Sequence, residues 1–298
     1  MTPVKLANTW GVPALLGVAM LANAAMVPLV PFMLATRLGW PLWLVGCYSF
    51  AVMSVTMLAN QRMSAVVDAS QRKSLLCLVC AIFQVVGALA TTGALNGAIW
   101  LLPLMILGIG VGGAVAPVYY TLGRLIAQTE HRDPAAVNSI LRVITSAAWV
   151  AGPAFGFAVV GTQGITVAFG MVAAITAIGG VAVLVSSRWL DNASISRVAT
   201  AKPATDDVPS SSKRRQALPH VAAFAVVFLF SLAHISTANS LPLFLVQRFD
   251  VPESATGLVL GLKAAVEMIT ILAAPILARR LSSRAILTIK KTIFYLVI

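Results

Sequence analysis

Apolar residues fill this chain in runs of about 20, the length that carries an α-helix across ~30 Å of hydrocarbon. Polar residues fall mainly in the short gaps between the runs. On that ruler, membrane-crossing helices are predicted near 10–35, 41–60, 74–94, 98–121, 138–161 and 165–187. A polar stretch from about 190 to 218 follows, then helices near 219–246 and 254–278 and an incomplete one from about 286. The pattern predicts an all-α polytopic membrane protein with about eight full spans and a stub. It divides into a six-helix half (1–189), a cytoplasmic polar linker (190–218) and an incomplete second half (219–298). The first span has no cleavage site and is too long for a signal peptide, so it reads as a permanent helix.

The gaps set the orientation. With the N-terminus cytoplasmic, the inner loops carry Arg62, Arg72, Lys73, Arg124, Arg132, Arg188, Arg197, Lys202, Lys213, Arg214, Arg215, Arg279, Arg280 and Arg284. The outer loops carry only Arg37 and Arg248, an asymmetry that puts the N-terminus inside. The segment 190–218 differs in kind. Asp206, Asp207, Pro203, Pro209 and the run Ser210–Ser212 give it the composition of a mobile, solvated linker. Six helices, a polar linker and further helices make the plan of a two-halved transporter in the cell membrane.

Composition narrows the reading. The 298 residues are 59% hydrophobic and 10% charged, with mean hydropathy +0.92, which excludes a soluble globular enzyme. The net charge of +12 sits in loops beside spans, so it marks topology rather than a nucleic-acid surface. Cys47, Cys77 and Cys80 lie inside apolar spans, and the Cys77-x-x-Cys80 pair lacks the further ligands of a metal site. Neither a metal nor any other cofactor is expected, and the protein is expected to be a monomer without enzymatic activity. The run Gly108-Ile-Gly110-Val-Gly112-Gly113 mimics a nucleotide-binding fingerprint but lies within a span, where packing is its role.

A few polar groups inside the spans carry the candidate chemistry. Arg142 is the only charge in 138–161, and a cation in a bilayer span needs a partner or a water path. It lies close to the cytoplasmic end, from which it can also snorkel outward. Trp149 follows two turns on, and Gly152, Pro153 and Gly156 predict a kink with close helix approach. Lys263 and Glu267 are four apart, on one helical face near mid-span. They read either as a coupling or solute-binding pair or as a self-satisfied ion pair. His234 and Asn239, with Ser236, Thr237 and Ser240, can donate to and accept from hydroxyls, as can Asn23 and Gln84. Each of these alone also fits an interhelical hydrogen bond. His234 has no second histidine near it to make a metal site.

Two motifs then point to a family. Ser64-Ala-Val-Val-Asp68-Ala-Ser-Gln-Arg72-Lys73 resembles the gating-loop signature of the major facilitator superfamily, G-x-L-a-D-R-x-G-R-K. Asp68, Arg72 and Lys73 match it, while Ser64, Ala69 and Gln71 depart from it. Gly152-Pro153-Ala-Phe-Gly156 resembles the G-P-x-x-G-G element of exporters in that superfamily. The longer string from Leu141 to Pro153, with Arg142 and Trp149, is similar to the fifth helix of the sugar efflux transporter family. Leu241–Val246 and Gly257-x-x-x-Gly261 followed by Glu267 resemble that family's seventh and eighth helices; Lys263 has no counterpart there.

The resemblance implies a major-facilitator-type bundle that exports sugars or sugar-like solutes by alternating access, with protons as the coupling ion. A drug exporter on the same fold is the alternative, and it calls for a larger, more aromatic cavity. The last residues, Leu287–Ile298, change to Ile, Lys, Phe and Tyr, and Lys290 and Lys291 interrupt what would be a span. They read as the end of a truncated or frame-shifted product without transport activity, or as a short interfacial tail.

Overall fold

In the computed structural model, residues 3–198, 229, 233 and 236–280 are described, with side chains over 11–192, 229, 233 and 236–269. The described chain is helical throughout its spans. In chain order it forms α1 (Pro3–Thr36), α2 (Leu42–Ala69), α3 (Lys73–Leu95), α4 (Leu102–Gly112), α5 (Ala116–Thr129), α6 (Pro134–Gln163), α7 (Ile165–Val185) and α8 (Ser187–Val198). It continues with α9 (236–249) and α10 (Glu253–Arg280). Among the described residues, six stretches are long and apolar enough to cross a membrane, the fourth being Ile99–Thr129, which holds both α4 and α5. The predicted first-half spans are therefore present. Much of the predicted 219–246 span, His234, and the tail from 281 lie outside the described residues.

Several helices outrun the predicted spans. α2 continues to Ala69 past Gln61 and Arg62, and the α4–α5 span continues to Thr129 past Arg124. Hydropathy measures the hydrocarbon crossing, and a helix can extend beyond it into the polar interface. The fourth span breaks at Gly113–Val115, where Ala114 takes φ −85° and ψ 18°. Pro117 has no N–H to give the Gly113 carbonyl, so the helical ladder is already short of a bond there.

Close packing at glycines builds the half-bundle. A Cβ on Gly87 would lie 2.8 Å from the Ile109 nitrogen, so α3 and α4 touch backbone to backbone. One on Gly110 would meet the Val55 side chain of α2. The glycine run in the fourth span is thus a packing surface. Large side chains fill the space that remains, in two clusters. Met26, Leu29, Phe32, Phe157 and Phe169 form one, with Phe32 and Phe157 edge to face at 5.2 Å between ring centroids. Leu16, Leu122, Leu141 and Leu190 anchor the other, which holds Cys77 and Cys80. α6 and α7 join through Gly164, whose φ of 91° and ψ of 163° suit a residue without a Cβ.

The α2–α3 turn is tied down by charges at helix ends. The Lys73 ammonium donates to the carbonyls of Val67 (2.8 Å) and Ser70 (2.7 Å), closing the C-terminal end of α2. Asp191 of α8 accepts from the Ser74 amide (3.0 Å) and hydroxyl (2.7 Å), capping α3 from another helix. Beside it Leu190 is fully buried, and the Trp189 ring packs against Gly11. α8 therefore carries regular structure through the first residues of the stretch whose composition reads as linker. Residues 199–218 lie outside the described residues.

Asp191→Ala is expected to lower stability by about 1–2 kcal/mol, the usual loss for a helix cap. Asp191→Asn, which keeps one acceptor, is expected to lose less. Thermal unfolding of the purified protein in detergent measures both.

Candidate functional site

α6 lies between α1 and α10 and touches each through its own face. Asp133 caps its start by accepting from the Ala135 amide at 2.9 Å, with Pro134 preset in the first turn. Toward α1, a Cβ on Gly152 would lie 2.7 Å from the Ala24 Cβ and 2.9 Å from the Leu21 carbonyl. One on Gly156 would lie 2.8 Å from Leu29. Toward α10 the small residues are on the partner helix. A Cβ on Gly257 would lie 2.9 Å from the Pro153 carbonyl oxygen, and one on Gly261 the same distance from the Val150 carbonyl oxygen. Gly161 meets Ser254 in the same way, so α6 and α10 run antiparallel.

Past Gly261 the two helices open around a cavity of about 230 Å³. Trp149, Ser146 and Pro153 reach it from α6; Lys263, Glu267 and Met268 reach it from α10. Val27 and Pro28 of α1 and Ala238 of α9 close its sides. Lys263 and Glu267 form an ion pair at 3.0 Å within one face of α10, so the two charges offset each other in the wall. Pro153 supplies a polar group that the sequence reading passed over. It has no N–H for the Trp149 carbonyl one turn back, so that acceptor lacks its usual partner in the helical ladder. The helix itself runs unbroken from Pro134 to Gln163, through Gly152, Pro153 and Gly156.

The structure thus gathers Trp149, Pro153, Lys263 and Glu267 around one space. Arg142 falls on the same stripe of α6, one turn from Ser146, yet its side chain is exposed and outside the cavity lining. Near the end of a span, that position lets a guanidinium reach water. Asn239 is adjacent but faces another way. Its amide donates to the Ser49 hydroxyl of α2 at 3.1 Å, and it borders a separate cavity of about 20 Å³ with Tyr48. Asn23 sits beside the break in the fourth span, near Gly113, and Gln84 is buried inside the six-helix half. Asp68 and Arg72 are exposed at the α2–α3 turn, and Lys73 is buried there as a cap. Asp191, its companion in that turn, carries no sequence signal beyond a lone acid after a span.

A further group of contacts ties α1, α2 and α6 to α9 and α10 toward the opposite end. Arg37, after α1, pairs with Glu253, at the start of α10, at 3.0 Å. With Ser49–Asn239 and Gly161–Ser254, this joins the two parts at the end away from Lys73.

Residues 126–297 match the Major Facilitator Superfamily, more than half of the chain and the part that holds α6 and α10. The chain is also similar to Sugar efflux transporter A of Dickeya chrysanthemi. It is 25% identical over 278 residues, covering 92% of this chain and 68% of that protein. Sugar efflux transporter B of Salmonella typhimurium is 28% identical over 178 residues, covering 60% of this chain and 43% of that protein. The long apolar helices, the cavity between α6 and α10 and these matches lead to one conclusion: the chain belongs to the Major Facilitator Superfamily of multi-pass membrane transport proteins.

Proposed function

We propose that the chain moves sugars or sugar-like small polar solutes out of the cell by alternating access, with the α6–α10 cavity as the solute site and protons as the coupling ion. The observation that carries this reading is the cavity itself. Its lining combines Trp149, Ser146 and the Lys263–Glu267 pair, so residues able to donate, accept and present apolar surface border one space. A sugar presents hydroxyls at its edge and C–H groups on its faces, which suits such walls. At about 230 Å³ the cavity is smaller than the ~300–1,000 Å³ of sites for drug-sized ligands, which favours a small solute over a drug. The two sugar efflux transporters to which the chain is similar point the same way.

The basic inner loops support an N-terminus on the cytoplasmic side of the plasma membrane. On that orientation the Arg37–Glu253, Ser49–Asn239 and Gly161–Ser254 contacts act as an outer seal, broken when the protein opens outward. Asp68, Arg72 and Lys73 then lie at the inner face, where they serve the gate of the opposite state.

Glu267 is the group on which coupling rests. Glu267→Gln keeps the shape and removes the charge, and is expected to lower sugar efflux at least about tenfold, the loss of one charged hydrogen bond. It is also expected to flatten the dependence on an imposed pH gradient. Efflux of radiolabelled lactose or glucose from loaded vesicles measures both, and unchanged, gradient-sensitive efflux rules the role out. For the outer seal, Arg37→Glu sets two acids side by side and is expected to slow efflux. The swap Arg37→Glu with Glu253→Arg is expected to restore most of the loss, by the same assay.

A further inference from the structure

A second small cavity, about 20 Å³, lies within the six-helix half between α1, α3, α5 and α7, apart from the solute site. Gln84 of α3 borders it together with Cys77, Tyr119, Thr176 and Gly112. Gln84 is 3% exposed, and among the described residues neither its amide oxygen nor its amide nitrogen has a hydrogen-bond partner. A buried polar group left in that condition costs about 1–3 kcal/mol. Packing keeps the side chain in place. A Cβ on Gly112 would lie 2.7 Å from the Gln84 Cβ, so the Gln84 stem rests directly on the glycine backbone.

The size and chemistry of the space select its occupant. One water needs roughly 10–15 Å³ by this measure together with two to four polar partners. Thr176 already gives its proton to the Val172 carbonyl at 2.8 Å, so its hydroxyl is left to accept. Tyr119, 3% exposed, brings a second hydroxyl, which is also within hydrogen-bond reach of Cys77. The lining holds no carboxylate to favour a cation, and an apolar guest would leave the amide orphaned.

We propose that this cavity is a binding site for one ordered water molecule, held by Gln84 and the hydroxyls of Thr176 and Tyr119. The water donates to Gln84 Oε1 and to Thr176 Oγ1, and Tyr119 completes its shell. It links α3, α5 and α7, which belong to one half, so the link travels with that half when it rocks against α10. The site is independent of which solute is carried.

A structure of the full chain at a resolution that shows ordered waters is expected to carry one density peak within hydrogen-bond distance of Gln84 and Thr176. Thermal unfolding in detergent is the second readout. Gln84→Met and Thr176→Val are each expected to lower Tm by about 2–4 °C, and the double variant by little more, because both remove the same water. An empty cavity, or a Gln84→Met protein that unfolds at a higher temperature, overturns the proposal in favour of a simply orphaned amide. So does a Tm that rises with sodium chloride but not choline chloride and loses that rise in Gln84→Met, which identifies a cation.

Discussion

The close approach of α6 to both α1 and α10 is the constraint on which the rest of this structure depends. In lipid, apolar helices gain nothing from leaving water, so they associate through dispersion contacts and hydrogen bonds. Those contacts fall off within a fraction of an ångström, and small residues let backbones come near enough to gain them. Gly152 and Gly156 do this toward α1, and Gly257 and Gly261 toward α10. The same contacts position the chemistry. Where the glycine seam of α10 ends, the next turn presents Lys263 and Glu267 opposite Trp149, and a cavity opens.

Charge placement follows from the same solvent. Lys263 and Glu267 occupy the wall as a pair. Lys73 is buried where two helix-end carbonyls receive it and Asp68 and Asp191 lie near. Arg142 stays at the edge of the span, where water can reach it. A bilayer tolerates ionised groups at helix ends and in paired arrangements, and these residues are in those places. The prolines add polarity without charge. Pro153 lines the cavity and deprives the Trp149 carbonyl of its usual helical partner.

Much of this was legible in residue order because the bilayer imposes a length and a polarity that sequence states directly. The first six spans, the packing role of the glycine run and the adjacency of Lys263 and Glu267 depend only on local spacing. Other features require knowing which helices meet. Asp191 looks like a stray acid after the sixth span until α8 brings it to the start of α3. Gln84 and Asn239 read alike as polar residues within spans, yet one borders a small cavity among α1, α3, α5 and α7 and the other bonds Ser49 across α9 and α2. Arg142 shares the stripe of Trp149, as spacing indicates, but its side chain is exposed and outside the cavity lining. Helix ends were misjudged because hydropathy follows hydrocarbon thickness, whereas α2 and α5 continue into the polar interface.

The central claim is that solute occupies the space between α6 and α10. Ser146→Cys, made with Cys47, Cys77 and Cys80 replaced by serine or alanine, places one thiol in that cavity. The rate of maleimide labelling in membranes, with and without a transported sugar, tests occupancy directly. The account predicts slower labelling as sugar is added, saturating over the same concentrations as efflux. Labelling that proceeds at one rate at every sugar concentration, in a variant that still exports the sugar, would contradict it.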